Sequence, residues 1–209
     1  MRDRRTWTLL LAGLAWLSLS GGAPPLGVAG SGAGFAAGEA PWTAEVPAIE
    51  ATLRELPAPT SRLSRLEAGR VARALVAEAR RASFSPEFVL AVIQVESGGD
   101  PRAVSPKGAL GLMQLLPETG QAVAAELGLR WDGPETLFDP VSNVRLGVAY
   151  LERLRARYGN LSIALTAYNW GPSRVSDMLR RSERIPPGYS RRVFQACRGS
   201  GEARGEQPI

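Results

Sequence analysis

Residues 88–99 read FVLAVIQVESGG, a run that combines a helical core segment with one carboxylate. Before Glu96 only Gln94 interrupts the apolar residues, which indicates a helix buried on nearly all sides. Gly98 and Gly99 follow after Ser97 and predict the end of that helix. Low-dielectric surroundings and the negative end of a helix both disfavour an ionised carboxylate. We therefore expect a raised pKa for Glu96, as a general acid near neutral pH requires.

The composition excludes several kinds of chemistry. The chain of 209 residues contains no histidine, which rules out Ser–His–Asp and Cys–His catalysis and most zinc sites. Lys107 is the only lysine, so a Schiff-base mechanism is not expected. Cys197 is the single cysteine and is interpreted as a packed residue of a late helix, with a regulatory thiol or an intermolecular bridge as alternatives. We expect neither a metal nor a cofactor.

The net charge of +5 suits an anionic partner such as nucleic acid, a membrane or a cell-wall polymer. However, the chain contains no dense block of basic residues and no nucleic-acid-binding motif. Its arginines are spread through amphipathic segments, where they are interpreted as solvated helix faces. The charge therefore does not predict nucleic-acid binding.

The N-terminus follows the plan of a secretory signal peptide, with a charged start, an apolar stretch and small residues. Arg4 and Arg5 precede the apolar run 8–17, which is short for a membrane span. We expect residues 1–29 to be the signal, with cleavage after Ala29. An uncleaved N-terminal anchor is the alternative. Either way, the protein is expected in the periplasm or cell envelope.

From residue 61 onwards the apolar spacing becomes helical, without internal repeats or alternation of period two. Short loops predict an all-α domain over residues 61–198. Residues 30–60 are rich in Gly, Ala and Pro and are interpreted as a flexible linker, and residues 199–209 as a polar tail. The helices are expected at residues 62–81, 86–96, 117–127, 140–158, 162–169, 173–181 and 189–197.

Three further segments contain side chains that helix packing alone does not require. They are the Gly-punctuated loop 105–114, the helix end 167–171 and the Pro–Gly turn 185–189. Aromatic faces stack on sugar rings and amides bind hydroxyl and acetamido groups, so these segments are compatible with a sugar site. Each also has a plainer interpretation: Met113 as a core residue, Asn169 as a helix-end residue and Tyr189 as a core aromatic.

Taken in order and spacing, three motifs resemble the soluble lytic transglycosylase family. They are Glu96–Ser97–Gly98, Gly111–Leu112–Met113–Gln114 and Ala167–Tyr168–Asn169–Trp170–Gly171. The resemblance covers roughly residues 84–193.

Two shorter patterns also look like that family. One is Asn-x-x-x-Gly-x-x-Tyr-Leu over residues 143–151, and the other is Pro187–Gly188–Tyr189. Trp170 is a departure, because a small residue is commoner at that position. It either adds a stacking surface or packs outward.

The resemblance implies a lysozyme-like helical fold, similar to goose-type lysozyme, with a cleft for peptidoglycan glycan strands. It also implies cleavage between N-acetylmuramic acid and N-acetylglucosamine with a 1,6-anhydro product. Glu96 would act as the acid and then as the base. The substrate-binding residues would be Ser97, Met113, Gln114, Tyr168, Asn169 and Tyr189. Met113 is further expected to form an apolar wall beside the acid.

Two other functions stay open at this point. A hydrolytic muramidase on the same fold would need a positioned water, and Asp100 is the nearest candidate in sequence for a second acid. A non-catalytic peptidoglycan-binding envelope module is the second alternative. The protein is expected to act as a monomer, and the sequence identifies no partner in an envelope machine.

Overall fold

Eight α-helices account for most of residues 44–202, the part of the chain that this computed structural model describes. A 3₁₀ helix, Pro134–Phe138, precedes the longest of them. In chain order the helices are α1 (Val46–Glu55), α2 (Arg65–Arg81), α3 (Pro86–Ser97), α4 (Pro117–Glu126), α5 (Pro140–Tyr158), α6 (Leu161–Trp170), α7 (Pro172–Arg180) and α8 (Gly188–Glu202). Between residues 44 and 202 β-pairing is limited to isolated bridges, so the all-α prediction is confirmed.

Local capping explains where the helices begin. Ser64 accepts a hydrogen bond from the Glu67 backbone and the Glu67 carboxylate bonds back to Ser64, which makes a capping box for α2. This box starts α2 three residues later than the sequence prediction. Ser85 caps α3 and Asp139 caps α5, each just before a proline.

The apolar helix α3 lies at the centre of the packing. It contacts α8, α2 and α1, while α5 packs against α2, α6 and α4. Seven of its residues from Pro86 to Ile93 are buried, as the run of apolar residues predicts. This burial fixes the last turn of α3, which carries Glu96.

The linker prediction is wrong for the part of residues 30–60 that the structure describes. Residues 46–55 form α1, and Val46, Ile49 and Leu53 are buried where this helix packs on α2. Their spacing of three and four residues places them on one face of the helix. The folded domain therefore begins before residue 61.

The expected signal peptide, residues 1–29, lies outside the described residues, and so does most of the expected tail. Among the helices of residues 44–202, none is both long and apolar enough to cross a membrane.

Candidate active site

A cleft of about 560 Å³ opens beside the end of α3. Its walls come from Glu96, the loop that follows α3, Tyr150 of α5 and the junction between α6 and α7. Two of the three segments that the sequence singled out, the loop 105–114 and the helix end 167–171, therefore meet at the cleft. The third, the turn 185–189, does not line it, but its Tyr189 forms a hydrogen bond with Glu96.

Glu96 lies in the last turn of α3, which Gly98 ends in a left-handed conformation with φ 63°. The carboxyl faces the cleft and is largely shielded from solvent by the protein. Desolvation raises the pKa of Glu96 from 4.5 to about 7, and the Tyr189 hydrogen bond and the Arg192 charge oppose that shift. The expected raised pKa is thus found, and its main cause is burial.

Tyr189 supports Glu96 from behind the cleft. Its hydroxyl donates a hydrogen bond of 2.5 Å to Glu96 Oε1. The side chain is 4% exposed, and burial keeps the pKa of its phenol well above the ordinary value. Tyr189 therefore stays a donor throughout the range in which Glu96 titrates, and the other carboxylate oxygen is left for a ligand.

Asn143 holds the loop that forms the floor of the cleft. Its amide donates to the carbonyls of Leu110 (2.9 Å) and Leu137 (2.8 Å) and accepts from the Met113 backbone N–H (2.7 Å). These bonds satisfy the fully buried side chain of Asn143. Gly111 has φ 76°, and a Cβ there would overlap the Leu137 carbonyl oxygen, which accounts for glycine at this position.

Gln114 is one of the few non-glycine residues with positive φ, at 50°. Its side-chain amide donates to the carbonyls of Ala103 (3.2 Å) and Gly111 (2.9 Å). Both of its N–H groups are thus used in holding the loop, and the carbonyl oxygen is the group that Gln114 can offer to the cleft.

Tyr168 and Asn169 reach the cleft from the end of α6. The Tyr168 hydroxyl donates to the Met113 carbonyl over 2.7 Å, and its ring packs against the ring of Tyr150 with centroids 5.3 Å apart. Asn169 is exposed. Tyr168 can therefore present its ring to a ligand, while its hydroxyl is committed to the loop.

Three predicted site residues do not line the cleft: Tyr189, which reaches it only through its hydrogen bond to Glu96, and Met113 and Ser97. The Met113 side chain is fully buried and packs on Gly147, where a Cβ would lie 2.5 Å from the Met113 sulfur. The apolar wall predicted for Met113 is therefore wrong, because the turn after Gly111 directs this side chain into the core. Ser97 is also buried, and its hydroxyl donates to the Leu112 carbonyl over 2.7 Å.

Several lining residues were missing from the sequence prediction. Tyr150 belonged to the Asn-x-x-x-Gly-x-x-Tyr-Leu pattern, which was a usable signal. Trp170 lines the cleft and does not pack outward. Arg174 and Lys107 also line it, although the arginines had been interpreted as solvated faces.

Glu96 is the only carboxyl among the described residues that line the cleft. Asp100, the candidate second acid, is fully buried and accepts backbone N–H groups of Thr60 and Arg102, each at 2.8 Å. Asp139 caps α5 through the Ser142 N–H. These carboxylates hold loops and helix ends. Within residues 44–202 no cluster of His, Cys, Asp or Glu could hold a metal ion.

Comparison with known proteins agrees with this geometry. The family model of the transglycosylase SLT domain matches residues 74–186. A putative soluble lytic murein transglycosylase from Haemophilus influenzae is 40% identical over 101 residues, which are 48% of this chain and 17% of that protein. An endo-type membrane-bound lytic murein transglycosylase A from Klebsiella pneumoniae is 44% identical over 71 residues, 33% of this chain and 35% of that protein.

The solved structure of an inactive mutant of the lytic transglycosylase Slt from Pseudomonas aeruginosa is also similar. It superposes with a TM-score of 0.57 and 28% identity over 65% of this chain and 25% of that chain. The matched segment spans about a sixth of the length of the first curated relatives. The helical, lysozyme-like fold expected from the resemblance is confirmed. Since the family model covers more than half of the sequence, the chain belongs to the transglycosylase SLT domain family.

Proposed function

We propose that this chain is a peptidoglycan lytic transglycosylase, which cleaves the β-1,4 bond between N-acetylmuramic acid and N-acetylglucosamine. The observation that carries the proposal is the carboxyl of Glu96, which faces the cleft with a pKa of about 7. Such a group can both give and take a proton near neutral pH. The names of the relatives support murein as the substrate.

In the first step, protonated Glu96 donates its proton to the oxygen that links the two sugars. The bond between that oxygen and C1 of the muramic acid breaks, and the N-acetylglucosamine leaves as an alcohol. The acetamido group of the muramic acid stabilises the positive charge at C1. Glu96 becomes a carboxylate, and the Tyr189 hydroxyl on Oε1 stabilises this charged form.

In the second step, the Glu96 carboxylate removes the proton from the C6 hydroxyl of the muramic acid. The C6 oxygen then bonds to C1, which closes the 1,6-anhydro ring and restores the protonated glutamic acid. No water is consumed. The two steps need one carboxyl group, because the substrate supplies both internal nucleophiles.

The single carboxyl group among the described lining residues favours ring closure over hydrolysis. Most glycosidases use two carboxyl groups on opposite sides of the bond. Among the described lining residues Glu96 has no such partner, and Asp100 is buried with its oxygens on backbone N–H groups. A hydrolytic muramidase would lack its second carboxylate in this cleft.

We further propose roles for the side chains around Glu96. The carbonyl oxygen of Gln114 and the exposed amide of Asn169 would bind acetamido and hydroxyl groups. The paired rings of Tyr150 and Tyr168 would contact sugar faces. The signal-like N-terminus and the membrane-bound relative support action in the cell envelope.

The experiment is release of soluble fragments from purified sacculi by the full chain, by Glu96→Gln and by Glu55→Gln as a matched control. Glu55 is an exposed residue at the end of α1 and does not line the cleft. Loss of a positioned acid typically costs about 10²–10⁴-fold in rate, so Glu96→Gln should release almost nothing. Turnover of this variant within a few-fold of wild type would refute the assignment.

A further inference from the structure

The charged groups of the cleft wall, apart from Glu96, are cations. Among the described lining residues these are Lys107 and Arg174, and both are exposed. Neither forms an ion pair with another described residue. When Glu96 holds its proton, below about pH 7, the cleft wall therefore carries net positive charge. This charge favours an anionic group on the ligand.

Arg174 makes a cation–π contact at the cleft wall. Its guanidinium carbon lies 4.3 Å from the centre of the Trp170 ring, and both residues line the cleft. Trp170 ends α6 and Arg174 lies in the first turn of α7, with Gly171 between the two helices. Stacking on an aromatic face orders the guanidinium and leaves its N–H edge for a ligand.

The position of Arg174 at the start of α7 is electrostatically unfavourable for the helix. The first turn of this helix contains no acidic residue, and a cation there opposes the helix dipole. Departures from such local rules are expected at functional sites, and the contact that Arg174 makes here is with another residue of the cleft wall. Trp170, which replaces the small residue common in the motif, supplies the surface that holds this cation.

Resting on the proposed function, we propose that Arg174, positioned by Trp170, binds a carboxylate carried by the muramic acid of the glycan strand. N-acetylglucosamine is neutral, whereas each muramic acid has a lactyl carboxyl that is either free or linked to a stem peptide with its own carboxylates. The planar guanidinium fork matches a carboxylate with two parallel hydrogen bonds. This contact would select muramic acid for one side of the cleft.

The test is a binding measurement on the full chain, with Glu96→Gln in every variant so that no ligand is cleaved. Three ligands are compared: peptide-bearing strands, amidase-treated strands with free lactyl groups, and uncharged chito-oligosaccharide. Arg174→Gln is compared with Arg65→Gln, an exposed arginine of α2 that does not line the cleft. Trp170→Ala tests the positioning of Arg174.

We expect Arg174→Gln to weaken binding of muramic-acid-containing strands about tenfold, as loss of a hydrogen bond to a charged group does, and to leave chito-oligosaccharide unchanged. If affinity falls for both muramic-acid ligands, Arg174 binds the lactyl region. If affinity falls for peptide-bearing strands alone, Arg174 binds a stem-peptide carboxylate. Trp170→Ala, like Arg174→Gln, should weaken binding of muramic-acid-containing strands more than binding of chito-oligosaccharide.

Two results would overturn the inference: an equal loss on all three ligands, or no loss greater than that of Arg65→Gln. The comparison is independent of the proposed chemistry. If wild type releases no anhydro product, the proposed function fails, yet the affinity ratios can still be measured.

Discussion

Replacing Glu96 by Gln should stabilise the protein at alkaline pH and change its pH dependence. Burial raises the pKa of Glu96 from 4.5 to about 7, so between these values the folded state keeps a proton that the unfolded state releases. The unfolded chain then binds fewer protons, and stability falls as pH rises through this window. Gln stays neutral and can still accept the hydrogen bond from Tyr189, so the variant avoids this loss.

The magnitude follows from the two pKa values. Each pKa unit is worth about 1.4 kcal/mol, so the rise from 4.5 to about 7 removes about 3 kcal/mol from the wild type. Below pH 4.5 both states of the wild type are protonated, and the two proteins should differ least. Above about pH 7.5 the variant should have gained the full difference. The gain in stability would accompany the loss of activity.

The assay is urea unfolding followed by far-UV circular dichroism between pH 4 and pH 8.5. The quantity of interest is the free energy of unfolding of Glu96→Gln minus that of wild type, in which all other titrating groups cancel. Glu55→Gln is the control, because the side chain of Glu55 is exposed. If this difference in unfolding free energy did not change between pH 4 and pH 8.5, the argument would be refuted, because ionisation of Glu96 would then not destabilise the folded protein.

Further predictions concern the first helix and the cation near Glu96. A chain that begins at residue 61 lacks α1 and its buried face. Its free energy of unfolding should be roughly 4 kcal/mol or more lower than that of a chain that begins at residue 44. Urea titration of both chains measures this difference. Equal stability of the two fragments would mean that α1 is not part of the folded domain. The rate of glycan cleavage should fall as pH rises above about 7, where Glu96 loses its proton, and Arg192→Gln should move this fall to higher pH, because the Arg192 charge lowers the pKa of Glu96. A pH–rate profile of Arg192→Gln that shifts to lower pH would contradict that role.

Most of the fold could be predicted from the sequence because its signals are local. Ser85, Asp139 and the prolines that follow them mark helix starts, and apolar spacing marks the buried faces. The helix α1 was missed because the Gly, Ala and Pro content of residues 30–60 hid a short amphipathic segment. Its buried residues, Val46, Ile49 and Leu53, have helical spacing, so the signal was present in the sequence.

The candidate site was predictable where side chains follow directly from helix ends. Glu96 lies in the last turn of α3, and Tyr168 and Asn169 lie in the last turn of α6; all three line the cleft. The direction of Met113 was not predictable, because it depends on Asn143, 30 residues away, and on the backbone turn that Asn143 holds. Such contacts leave no mark in local spacing.

A stacking surface at Trp170 was one of the two interpretations of the sequence, but its contact with Arg174 was not predicted. The four-residue separation crosses Gly171 and a change of helix, so helical spacing does not predict their stacking. An arginine on an amphipathic helix is ordinarily a solvated residue. The contact between Arg174 and Trp170 depends on how α6 and α7 are arranged, which the sequence does not specify.

The mass of the fragments released from purified sacculi tests the central claim most directly. We predict muropeptides that end in 1,6-anhydro-muramic acid, each lighter by one water than the hydrolysis product, since Glu96 is the only carboxyl among the described residues of the cleft wall. The Glu96→Gln protein should release none of them. Fragments that carry the added water would contradict the account and identify a hydrolase.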